Sequence, residues 1–145
     1  MMWLVWVPAI VLWNVFPYVA STATHPMLAA TPWMANDGGP IYAFRTVAAG
    51  IALLAFLLTI PCWLSMGKDW SMAVVPNKDS RLITQGMFSR VRHPIYGLSI
   101  VLMAGTLIAV PTPAMIVTGI VHITMICLKA VNEEKYMQEV HGPQY

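Results

Sequence analysis

The chain has 145 residues, of which 58% are hydrophobic and only 10% charged, with a formal net charge of +2. Water-soluble domains carry roughly 25% charged residues, so this composition excludes an ordinary soluble domain, and a charge this small excludes a nucleic-acid-binding surface. With a mean hydropathy of +0.66 and several apolar runs near the ~20 residues that cross a bilayer as helix, the expectation is a single all-α membrane domain. The expected architecture is a polytopic bundle of about four transmembrane helices embedded in the lipid bilayer.

Residues 3–20 form the first expected span. No Lys or Arg precedes it, so it lacks the basic region of a cleaved signal peptide and reads as a retained helix. Pro8 and Pro17 are expected to bend or end it, and its tryptophans suit interfaces or lipid-facing packing. Residues 21–40, with Pro26, Pro32, Gly38, Gly39 and Pro40, read as a loop, and residues 41–64 as the second span. Arg45, one turn inside that span, is expected to snorkel outward toward Asp37. Cys62 and Cys127 both fall in apolar runs, where an isolated cysteine packs as a small apolar residue rather than entering a disulfide framework.

Residues 65–93 are the strongly polar segment, with Lys68, Lys78, Arg81, Arg90 and Arg92 against Asp69 and Asp79. A third span begins at Pro94 and reaches about Val110, Pro111-Thr112-Pro113 makes a tight break, and a fourth span runs from Ala114 to about Val131. The third span covers only ~24 Å at ~1.5 Å per residue, so the last two spans form a short, tilted or shallow hairpin. Residues 132–145 read as a polar tail. The connections at 21–40 and 111–113 hold no Lys or Arg, which assigns the 65–93 loop, and with it both termini, to the cytoplasmic side. Residues 1–64 thus form two N-terminal spans, and 65–145 a core that carries the chemistry.

Two features could carry that chemistry. In Arg92-His93-Pro94, the residue before a proline is pushed out of the helical region while proline suits the first helical turn. His93 is then the cap of the third span, whose unpaired N–H groups and positive dipole end suit a carboxylate or phosphate. Phe88, His93 and Tyr96 add aromatic faces for a nucleobase or a sulfonium. The plainer alternative is that Arg90 and Arg92 anchor the helix among lipid headgroups. On the fourth span His122, Lys129 and Glu133 stand at i, i+7 and i+11, within ~20° of one direction. Such a line in a membrane helix faces the bundle interior or a wet cavity. The plainer alternatives are a solvated helix end for Lys129 and Glu133 with Glu134 and Lys135, and one interhelical hydrogen bond for His122. His93 and His122 as haem ligands form a further reading; no spacing points to a metal.

The run Gly67-Lys68-Asp69-Trp70-Ser71, then Leu82-Ile83-Thr84-Gln85-Gly86-Met87-Phe88, then Arg92-His93-Pro94-Ile95-Tyr96-Gly97, with Glu133-Glu134 and Gly142-Pro143-Gln144-Tyr145 downstream, resembles the isoprenylcysteine carboxyl methyltransferase family. These are integral-membrane enzymes that use S-adenosyl-L-methionine and are related to the phospholipid methyltransferases. The resemblance spans just over half the chain. It implies that Ser80, Arg81, Leu82 and Ile83 line the cofactor pocket and that Phe88 stands where the family commonly has tyrosine. It further implies that His93, Pro94, Ile95, Tyr96 and Glu133 contact the cofactor, and that Lys129 holds the position of a substrate-facing arginine. Arg92 and Glu133 are the opposite charges that a methionine carboxylate and amino group need. The expected activity is methyl transfer to a small or lipid-like acceptor, a carboxylate, thiol or amine, with Lys129 and Glu133 as the catalytic pair. Lys129 lacks the planar fork of arginine, His141 stands where the family favours phenylalanine, and the family pattern continues past the position of Tyr145. Those departures motivate a second reading, a non-catalytic membrane scaffold that keeps the fold.

Overall fold

The computed structural model describes residues 3–20, 22–29, 39–67 and 84–142. Among them are four helices and no strand: α1 (Trp3–Ala20), α2 (Pro40–Met66), α3 (Pro94–Ala109) and α4 (Pro113–His141), with a short 3₁₀ turn at Gly86–Ser89 before α3. α2 and α4 are long and apolar enough to cross a membrane, while α1 and α3 are shorter apolar helices. Large side chains along α2, among them Phe44, Val47, Ile51 and Leu54, lie exposed. An outer face this apolar suits lipid rather than water.

Proline sets three of the four helix starts. Pro40, Pro94 and Pro113 each stand at the beginning of a helix, where the missing N–H would have had no intrahelical acceptor. Ahead of Pro113, Thr112 is extended, and its hydroxyl accepts the Met115 N–H at 3.1 Å. α2 stops at Gly67, whose φ of 50° lets its N–H turn back to the Trp63 carbonyl. Pro8 and Pro17 lie within a helix that continues through both, so neither ends it. The polar tail expected from residue 132 is corrected: α4 stays helical through His141.

Two different kinds of contact hold the bundle. α2 and α3 run antiparallel in close contact along a stripe of small residues, with Ala48, Ala52, Ala55, Thr59 and Cys62 of α2 buried. Facing them is Gly105, where an added Cβ would come 2.8 Å from the Ala48 carbonyl oxygen and 2.9 Å from the Ala52 Cβ. Inside a bilayer there is little hydrophobic drive between helices, so such backbone approach supplies the attraction. At the far end of this pair Arg45 donates from Nε to the Ala109 carbonyl at 2.9 Å, a cation at the negative end of α3. Asp37, its expected partner, lies outside the described residues.

α1 runs antiparallel to α4, and both meet α3 around Trp13, Met103 and Met115, with Phe16, Leu107 and Ile123 packed against them. The start of α1, the end of α2, the start of α3 and the end of α4 therefore gather at one end of the bundle. Gly105→Leu should destabilise the protein by about 1–3 kcal/mol through overpacking. Gly50→Ala, whose new methyl meets nothing within 4 Å, should leave stability unchanged or raise it by up to about 1 kcal/mol. Thermal unfolding in detergent checks the pair.

Candidate active site

At the gathered end, the first turn of α3 faces the last turns of α4. His93 caps α3 with φ −123° and ψ 62° and spends no side-chain bond on its own helix. The ring reaches across to α4, its Nε2 3.1 Å from Glu134 Oε1 and its Nδ1 3.8 Å from Glu133 Oε2. Arg92 joins Glu134 through Nη1 at 3.1 Å, on the exposed side of the cluster. A solvated pair of that kind adds at most about 1 kcal/mol.

Deeper in, Glu133 is the meeting point. Tyr96 places its hydroxyl proton between both carboxylate oxygens, at 2.8 and 2.7 Å. Lys129, one turn earlier on α4, brings Nζ to 3.4 Å from Glu133 Oε1 while only 7% exposed. The ammonium also lies 5.2 Å from the ring centroids of both Tyr96 and Trp6. Tyr96 in turn stacks on His93 at 5.3 Å with an interplanar angle of 11°. A buried cation needs such company, because leaving water costs it several kcal/mol unless charge and polarisable faces compensate.

Below this lies His122, 5% exposed. Trp6 donates its indole N–H to Nδ1 at 3.2 Å, and Nε2 lies 3.1 Å from Ser99 Oγ. Indole can only donate, so Nδ1 accepts, the neutral ring carries its hydrogen on Nε2, and Ser99 receives that bond. Both ring nitrogens are thus engaged, and neither is offered to a haem iron.

The structure brings together Arg92, His93, Tyr96, Lys129 and Glu133, with Pro94 buried beneath them and Ile95 half-buried. The reading of Lys129 as part of a solvated helix end is overturned by its burial. Ser80, Arg81, Leu82 and Ile83 lie outside the described residues. Phe88 is half-buried in the 3₁₀ turn that packs on α2, and it takes no part in the cluster's polar or ring contacts among the described residues. Beside that turn is a cavity of about 550 Å³ lined by Pro61, Cys62, Ser65, Met87, Ser89 and Arg90. Sequence reasoning missed Ser99 and Trp6 as partners. Ser99 is one turn from Tyr96 and was findable on helical spacing, whereas nothing local distinguishes Trp6 from the other tryptophans of α1.

Among the described residues, an all-helical bundle with two bilayer-length apolar helices, carrying at one end a charged cluster around the buried Lys129, has the form of a membrane protein. Residues 44–144 match the phospholipid methyltransferase family, and the chain belongs to it. The match takes in most of α2 and all of α3 and α4, and leaves α1 outside. No curated protein and no solved structure matches the chain.

Removing Glu133 leaves Lys129 buried without its counter-charge, which is the costly half of a buried ion pair. Glu133→Leu should therefore destabilise by about 3 kcal/mol, and the double variant Lys129→Met with Glu133→Leu should recover much of that. Thermal unfolding of the wild type and the three variants in detergent measures the difference.

Proposed function

We propose that the protein is an integral-membrane S-adenosylmethionine-dependent methyltransferase acting on a small or lipid-like acceptor, a carboxylate, thiol or amine. In this reading all four helices span the bilayer, and the 65–93 loop and both termini face the cytoplasm. The observation that carries it is the convergence of Tyr96, His93 and Lys129 on Glu133 at the start of α3, in a chain of the phospholipid methyltransferase family.

The donor set fits the cofactor's charges. Glu133 and Glu134 offer carboxylates to an α-amino group. The unpaired first-turn amides of α3 together with Arg92 offer donors to a carboxylate, and the stacked His93 and Tyr96 rings offer aromatic faces to a sulfonium. When bound, the cofactor supplies an electrophilic methyl group. The protein's own part is to orient the acceptor for in-line approach, with Lys129 addressing it from α4 and Trp6 and Tyr96 shielding that end from water. A carboxylate or thiolate acceptor needs no base. An amine or hydroxyl acceptor must lose a proton, and His93, set against both glutamates, is the side chain placed to take it.

A second reading, a non-catalytic scaffold, is favoured by one observation: each charged group of the cluster already has a partner within the protein. Methyl transfer from labelled cofactor into fractionated membrane extract separates the two readings, since any detectable transfer rejects the scaffold. Calorimetry with S-adenosylhomocysteine on the detergent-solubilised full chain should show binding, weakened about tenfold or more by Glu133→Ala and by His93→Ala, the effect of one lost charge-assisted bond. Absence of binding to well-folded wild type rejects the enzyme. Unchanged affinity in both variants rejects the site.

A further inference from the structure

We propose that Trp6, on the helix outside the family match, is a positioning residue of the active site, clamping the Lys129 ammonium against Tyr96. The functional side of this proposal rests on the methyltransferase reading, whereas the clamp itself does not.

Lysine is a point charge on a flexible four-carbon stem and brings no direction of its own, unlike the planar fork of arginine. Here its direction is imposed from outside. The Tyr96 ring stands 5.2 Å from Nζ and is tied through its hydroxyl to Glu133. The Trp6 ring stands 5.2 Å from the same atom. No charged residue of α1 is available to do this, because the helix has none. What fixes the indole is its edge: Nε1–H is held by His122 Nδ1, and His122 is held through Nε2 by Ser99. That chain links α1, α4 and α3 and sets the indole at a tilt of 37° to the imidazole. Lys129 is consequently held against both of these faces and the Glu133 carboxylate, pointing at the start of α3. An acceptor then meets a cation already in place, rather than one that must be ordered on binding.

The test begins with a readout that needs no activity. Pulse acetylation of the folded full chain with acetic anhydride, read at Lys129 by mass spectrometry with exposed Lys135 as internal reference, reports how tightly the amine is held. In wild type Lys129 should react far more slowly than Lys135. Trp6→Leu should speed it about tenfold, and Trp6→Phe, which keeps an aromatic face but loses the bond to His122, should fall between wild type and Trp6→Leu. Trp13→Leu serves as the control for general loosening, since it damages the apolar core of the same helix and should leave Lys129 protected. Equal acetylation of wild type and Trp6→Leu overturns the proposal, as does release by Trp13→Leu to the same extent as by Trp6→Leu.

The functional arm uses methyl transfer into a dilution series of total membrane lipid extract. Trp6→Leu should raise the extract concentration for half-maximal rate about five- to tenfold, the scale of one partly desolvated cation–π contact. Its affinity for S-adenosylhomocysteine should stay within twofold of wild type, and a fall in that affinity matching the loss of transfer overturns the positioning role. If wild type neither binds S-adenosylhomocysteine nor transfers methyl groups, the enzymatic reading fails, and the acetylation contrast alone decides the clamp.

Discussion

The Glu133 carboxylate is the group on which the polar end of the bundle depends. A lysine 7% exposed and a tyrosine hydroxyl both turn toward it, and each would cost more to hold there without it. Because Tyr96 is on α3 and Lys129 on α4, one carboxylate decides how two helices meet. Through the rings around Lys129 it also decides where α1 lies. The cluster is therefore both the chemistry of the site and the lock on its walls.

The other seam works by opposite means. Between α2 and α3 the attraction comes from the absence of side chains: Gly105 lets two backbones approach until a single methyl group would collide. Such contact is insensitive to protonation and to salt. The chain thus divides its labour, with a close-packed seam at α2–α3 and, where α1, α3 and α4 meet, an apolar core that gives way to the polar cluster at the gathered end.

Much of this was legible in the residues. Pro94 marked a helix start because the physics of that ring is local, while Pro40 and Pro113 were read as the last residues of breaks and proved to open the helices that follow. The His122–Lys129–Glu133 line marked an inward face because helical periodicity is local too. Residues 132–141 were misread as a tail because a helix leaving lipid turns polar, and polarity alone looks the same in coil. Arg45 has a partner that no local signal announces. The Ala109 carbonyl, distant in sequence, lies within reach of it once α2 and α3 are paired, while the expected Asp37 lies outside the described residues. Trp6 was illegible altogether, since its role is created by the pairing of α1 with α4. The family resemblance, by contrast, was legible from short motifs, and it was confirmed at the level of the phospholipid methyltransferase family.

The unequal helix lengths have a consequence of their own. α3 has 16 residues against 27 for α2 and 29 for α4. With Ala109 at the level of Arg45, α3 begins roughly a turn and a half short of the end of α2, or ~8 Å. On the other side α4 continues eight residues past Glu133, a rise of ~12 Å. The start of α3 is therefore set back from the ends of α2 and α4. A charge set back among helices interacts through less water than one at a helix end, so each contact there is stronger than the same contact at the surface. Under the methyltransferase reading, the short third helix is what lets a lipid-like acceptor and a water-soluble cofactor meet at one point.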